Sequence, residues 1–108
     1  MSHDINYRIL KLLAAQPNLS QRALAGSLGI SLGRTNYALS ELIEKGIIKM
    51  KRLESAPQKI SYAYLITPKG LEEKSKIAAH LLKQKQAEYE QIKGRIKEIT
   101  EELEISSA

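Results

Sequence analysis

Cysteine is absent from the 108-residue chain. That excludes disulfides, thiolate metal sites, thiol nucleophiles and thiol redox sensing. Histidine is nearly absent: His3 and His80 are the only two, far apart in sequence. Isolated histidines are usually surface residues, so neither a His-based metal site nor His catalysis has support. No apolar run approaches the roughly 20 residues of a membrane span. The opening Met1-Ser2-His3-Asp4 lacks the charged-then-apolar order of a signal peptide, so a cytoplasmic location is expected. There is no phosphate-binding glycine loop, metal-ligand cluster, nucleophile constellation or paired-carboxylate motif. The chain is therefore not expected to be an enzyme, and no cofactor is expected.

Positive charge is present, and it is unevenly placed. Residues 1–66 hold nine basic and four acidic side chains, and residues 67–108 hold eight of each. The whole net charge of +5 therefore falls in the first part. A basic domain joined to a neutral one suits a polyanionic partner.

Ile5, Ile9, Leu12 and Leu13 recur at helical spacing until Gln16-Pro17-Asn18 interrupts them, predicting a helix over about 3–15 with Asp4 or Ser2 as its cap. Ser20 then reads as an N-cap, with Ala23, Leu24 and Leu28 on one helix face and Gly29 as the stop. Ser31 reads as a second N-cap. The helix after it carries Thr35, Ala38, Leu39, Leu42 and Ile43 inward and ends at Gly46. Ala25 is small where two helices would cross, Gly29 supplies the turn, and Ile30 plugs the core. Two helices joined in this way form a helix-turn-helix. Ile47–Leu53 and Ile60–Ile66 alternate as strands do, with a loop over 54–59, which predicts a β-hairpin. In the second strand, Tyr62 and Tyr64 share a face with Ile60 and Ile66 and read as packing residues. Three helices and a hairpin make a winged helix-turn-helix, here over residues 1–66. The fold class is thus mainly α with a small β-hairpin.

On the third helix, Gly33, Asn36, Tyr37, Ser40 and Glu44 form the outward stripe, with Arg34 and Glu41 on its flanks. A helix in the major groove presents its N-terminal residues to base edges. Arg34 suits guanine and Asn36 suits adenine, each through a bidentate contact worth about 1–3 kcal/mol. Tyr37 and Ser40 can reach bases or phosphates, Gly33 permits close backbone approach, and Ser31 joins the set at the helix start. Ser20, Gln21 and Arg22 open the preceding helix, where free amides meet phosphate. Lys49, Lys51, Arg52 and Lys59 belong to the wing, whose contacts position a protein without reading sequence. The same residues also suit an ordinary solvated face and a lysine-protected edge strand.

Thr67-Pro68 opens the last element as N-cap and first helical residue, and no proline follows. Ala78, Leu82, Lys85, Tyr89, Ile92, Ile96, Ile99 and Leu103 step by four and three alternately, as a coiled-coil seam does. Residues 78–103 span about 39 Å as a helix, more than so small a winged helix can cover. Leu82, Tyr89, Ile92, Ile96, Ile99 and Leu103 are therefore the expected dimer interface. The expected organisation is a DNA-binding domain over 1–66, a dimerisation helix over 67–104 and a tail over 105–108. Glu88 and Lys93 are placed to pair between parallel chains; an antiparallel seam is also open. A two-fold dimer prefers a pseudo-palindromic double-stranded site.

Leu19-Ser20-Gln21, Leu28-Gly29-Ile30-Ser31, Leu42-Ile43-Glu44-Lys45-Gly46 and Tyr64-Leu65-Ile66-Thr67-Pro68-Lys69-Gly70 resemble the MarR-type winged-helix regulators. Within them the chain is most similar to the small subgroup associated with bacterial extracellular polysaccharide gene clusters. The resemblance covers about residues 5–95. It implies DNA binding as a homodimer and transcriptional control, here of exopolysaccharide genes. Full-length members carry an additional N-terminal helix and a further C-terminal one, from which their ligand pocket is partly built. A small-molecule effector is for that reason not expected. Two other readings accompany the leading one: a winged-helix protein-interaction module, and a non-specific chromatin-like DNA binder.

Overall fold

A computed structural model describes residues 3–56 and 59–107, with side chains for 3–53 and 61–107. The element order is α1 (His3–Ala15), α2 (Gln21–Leu28), α3 (Leu32–Glu44), β1 (Ile48–Ala56), β2 (Lys59–Ile66) and α4 (Pro68–Ser107). The expected fold class is the observed one: a helical winged helix-turn-helix, a two-stranded antiparallel hairpin and a long C-terminal helix. The chain divides into a compact unit ending at Ala78 and a second unit from Ala79 onward.

The core of the first unit is built from Ile9, Leu10, Leu13, Leu24, Leu39, Leu42 and Ile48, all essentially inaccessible to solvent. The inner face of α1 runs through Asn6, Ile9, Leu10 and Leu13, while Ile5 and Leu12 are only half-buried. That face is turned from the one periodicity predicted, because a buried polar residue, Asn6, belongs to it. Asp4 sits within the first turn rather than before it, and Ser2 lies outside the described residues.

The helix-turn-helix forms as its caps dictate. Ser20 Oγ accepts the Ala23 amide at 3.0 Å, and Ser31 Oγ accepts the Arg34 amide at 3.1 Å. Each satisfies a donor that the first helical turn leaves free. Both helices end on a left-handed glycine, Gly29 at φ 69° and Gly46 at φ 73°. After each, an isoleucine amide reaches back to close the last turn, Ile30 to Ala25 O at 3.2 Å and Ile47 to Leu42 O at 2.9 Å. Glycine takes this backbone conformation without a Cβ penalty. Ala25 is buried, but Ala23 is exposed.

The hairpin is longer than predicted. The strands continue through residues 54–56 and resume at Lys59, with a register irregularity between Glu54 and Ala56. A bulge absorbs the extra residue, so Ser55 does not end the pairing. Tyr64 is buried but Tyr62 is not, so the two do not pack alike. At the end of β2, Thr67 caps α4 by accepting the Gly70 amide at 3.0 Å. Its own hydroxyl donates to the carbonyls of Gly46 and Ile47. Gly70 is buried against the Ile47 carbonyl, with no room for a Cβ. The last helix runs to Ser107, so residues 105–107 are helix and not tail. No helix of the described residues is long and apolar enough to cross a membrane.

Candidate nucleic-acid interface

Helix α3 presents Gly33, Arg34, Asn36, Tyr37 and Ser40 to solvent and keeps Thr35, Ala38, Leu39 and Leu42 inside. Thr35 is inaccessible, and its hydroxyl is satisfied by donating to the Ser31 carbonyl at 3.0 Å. Tyr37 is 68% exposed, so its ring is not packed on the domain surface. At about 100° per residue, Arg34 and Asn36 stand on opposite flanks of the stripe whose middle is Gly33, Tyr37 and Ser40. Arg34, Gly33 and Tyr37 border a cavity of about 330 Å³ with Ile5, Asn6 and Ile30.

Asn36 faces the other way. Its Nδ2 donates to Gln21 Oε1 at 3.1 Å, and Gln21 Nε2 donates to Tyr64 Oη at 3.1 Å. One chain of three side chains thus links α3, the first turn of α2 and the second strand of the wing. Tyr64 is 3% exposed, and a buried phenol requires a hydrogen-bond partner. Gln21 supplies it, and in doing so becomes half-buried. Beside this chain lies an open cleft of about 350 Å³ lined by Asn18, Ser20, Gln21, Ser61, Tyr62 and Tyr64. Tyr62, 41% exposed, joins the candidate surface that sequence reasoning had denied it. Its pairing opposite Arg52 across the hairpin is the signal that marks it.

The basic residues of the wing do not form one surface. The register pairs Met50 with Tyr64 and Arg52 with Tyr62, so these four side chains share one face. Lys49 and Lys51 pair with Leu65 and Ala63 on the other face. All three cations are exposed, and the side chain of Lys59 lies outside the described ones. Arg22 is exposed at the start of α2.

Two of the basic residues before the last helix, Arg8 and Lys45, have structural partners. Arg8 donates to the carbonyls of Ser27 and Leu28 at 3.2 and 3.4 Å, where the end of α2 favours a cation. Lys45 Nζ meets Glu41 Oε1 at 2.9 Å, and the Glu41 carboxylate holds the Lys45 ammonium above the ordinary lysine pKa. Among the described residues, no group of three or more His, Asp or Glu side chains is placed to hold a metal ion.

Residues 3–49 match a family model described as winged helix-turn-helix DNA-binding. Several solved structures share the architecture. A zinc-responsive MarR family member of Lactococcus lactis, ZitR, is 27% identical over 80% of this chain and 58% of its own, with a TM-score of 0.59. The PcaV transcriptional regulator of Streptomyces coelicolor, solved with its natural ligand, is 21% identical over 76% of this chain and 57% of its own, with a TM-score of 0.61. A MarR transcriptional regulator of Methanosarcina mazei is 26% identical over 70% of this chain and 55% of its own, with a TM-score of 0.54. The fold is that of the MarR regulators. This chain spans a little over half the length of these three structures. No curated protein matches it. The matched region ends inside β1, so the MarR-like wing and long helix are supported by structural likeness and the helix-turn-helix by the sequence match as well.

Proposed function

We propose that the chain is a homodimeric transcription regulator that reads a pseudo-palindromic site in double-stranded DNA. The observation that carries this reading is the exposed stripe of α3, flanked by Arg34 and Asn36, within a domain that holds all the excess positive charge. With α3 in the major groove, Tyr37 and Ser40 face the groove floor, and Arg34 and Asn36 meet its two sides. Arg34 donates to guanine O6 and N7. Asn36 reads adenine on its free carbonyl side while its amide remains held by Gln21. Arg22, Ser20 and Ser31 meet phosphate. Arg52 with Tyr62, on one wing face, and Lys49 with Lys51, on the other, contact the backbone on either side of the wing. Lys59 extends this basic set.

Dimerisation follows from the second unit. Leu82, Tyr89, Ile92, Ile96, Ile99 and Leu103 are each 52–64% exposed in the single chain. Six such residues at coiled-coil spacing call for a second helix. Two recognition helices related by a two-fold axis read half-sites about one helical turn apart, or a multiple of it. A cytoplasmic protein acting on exopolysaccharide genes, with no small-molecule effector, is the finer form of the proposal. Its support is the resemblance to the small polysaccharide-associated regulators at the Thr67-Pro68-Lys69-Gly70 joint and the helix-turn-helix.

Selection of bound sequences from a random duplex pool tests the reading. An enriched pseudo-palindrome is the expected result. Uniform retention of all sequences would identify a non-specific binder, and no retention at low salt a protein-interaction module.

A further inference from the structure

We propose that the apolar seam of α4 pairs with a second copy of itself antiparallel, centred between Glu90 and Gln91. This rests on the dimeric reading above and specifies its geometry. The seam has two weak positions, Ala78 and Lys85, and one bulky aromatic, Tyr89. A parallel, in-register pair sets each residue against its own copy. It would place Lys85 against Lys85, Ala78 against Ala78 and Tyr89 against Tyr89. Two ammonium groups would then meet within one layer, which costs more than either side chain gains.

The antiparallel alignment sets each seam residue against the one whose number completes a sum of 181, and each residue on the Glu88 flank nearest the one whose number completes 183. Leu82 then meets Ile99, Tyr89 meets Ile92, Lys85 meets Ile96 and Ala78 meets Leu103. Every weak position faces a large apolar one, and all eight layers are used. Lys85 can lay its methylene stem over Ile96 of the second copy while its ammonium keeps Glu88 of its own helix, 3.5 Å away. Lys93 already sits over its own Tyr89 ring, 6.0 Å from the centroid, which leaves the opposite flank for contacts between chains.

Charge selects the register among antiparallel choices. At the proposed centre, Glu88 faces Arg95 of the second copy, twice by symmetry. A slip of one heptad in one direction sets Glu88 against Glu88. A slip in the other sets Glu88 against Glu102 and Arg95 against Arg95. Like charges across a seam are disfavoured. Gly94 falls on the outermost position, where nothing approaches it within 4 Å and where it does not interrupt the seam. The alignment also places the two Ala78 residues, the last of each compact unit, about 37 Å apart along the seam. A parallel pair would bring them within about 10 Å.

The chain has no cysteine of its own, so introduced thiols report alone. Full-length Leu82→Cys and Ile99→Cys chains are oxidised separately and as an equal mixture. A second pair, Glu88→Cys and Arg95→Cys, leaves the apolar seam intact. The expected result is at least tenfold more covalent dimer in each mixture than in either chain alone. Efficient self-linking of Leu82→Cys would establish the parallel pair and overturn the inference, as would equal or absent linking in both mixtures of a protein that sediments as a dimer. A wild-type chain that sediments as a monomer would instead overturn the dimeric reading, and this inference with it.

Discussion

Asn36 Nδ2 lies 3.1 Å from Gln21 Oε1, so the side chain best suited to adenine is already oriented before any base is met. The orientation is inherited from the wing, because Gln21 is held in turn by Tyr64. Replacing Tyr64 with Phe keeps the ring and removes the acceptor for Gln21. A loss of about 0.5–1.5 kcal/mol of stability is expected from urea unfolding, the net worth of one such bond. Affinity for the selected duplex should fall several-fold with no change in the salt dependence, since no phosphate contact is lost.

Arg34→Ala should relax base preference at one position per half-site and weaken the selected site by about 1–3 kcal/mol. Binding to an unrelated duplex should change far less. An unchanged preference profile would remove Arg34 from the readout set.

The two glycines of α4 should respond in opposite directions. Gly70→Ala drives a methyl group into the Ile47 carbonyl and the Ile66 side chain, and a destabilisation of about 1–3 kcal/mol is expected from overpacking. Gly94→Ala meets open space and should stabilise the helix by up to about 1 kcal/mol. Thermal unfolding of both variants checks the contrast.

Replacing both Ile92 and Ile96 with Lys should yield monomers with an intact winged domain. Sedimentation and circular dichroism test the two halves of that statement. Affinity for a two-half-site duplex should fall at least tenfold, because the second half-site is no longer held at high effective concentration.

The Lys45 ammonium is stabilised by Glu41, which raises its pKa in the folded chain. The stabilisation is fully present below the unfolded lysine value of about 10.4 and is lost as pH rises through the higher folded one. Unfolding followed between pH 9 and 12 should therefore show a small loss that Lys45→Met abolishes. The pair is exposed, so the effect is slight.

Local chemistry made much of this fold legible. Helices α2 and α3 each start on a serine cap and end at a glycine followed by an isoleucine, and the caps and turns form as they read, although Ile30, expected to plug the core, is only half-buried. The start of α4 was equally plain from Thr67 and Pro68. The inner face of α1 was misjudged because Asn6 is polar and buried, and no local spacing marks that. The hairpin outran its predicted length because a bulge near Ser55 preserves pairing that turn-like composition argued against. The exposure of Gly33, Arg34, Asn36, Tyr37 and Ser40 on α3 was legible, but their arrangement was not. Residues 21, 36 and 64 meet only in three dimensions, and the two faces of the wing separate Arg52 from Lys49 and Lys51 only once the register is known. Arg8 and Lys45 counted as free charge in the sequence, yet the fold assigns each a carbonyl or carboxylate partner.

The joint at Thr67 and Gly70 has a mechanical meaning. Thr67 bonds the carbonyls of Gly46 and Ile47, Lys69 Nζ bonds the Lys45 carbonyl at 2.8 Å, and Gly70 rests on Ile47. These contacts gather at the C-terminal end of α3. The first turn of α4 is in effect riveted to the end of α3. A torque on that turn is therefore delivered to α3 with little slack, and the hairpin between them in sequence is bypassed as a route.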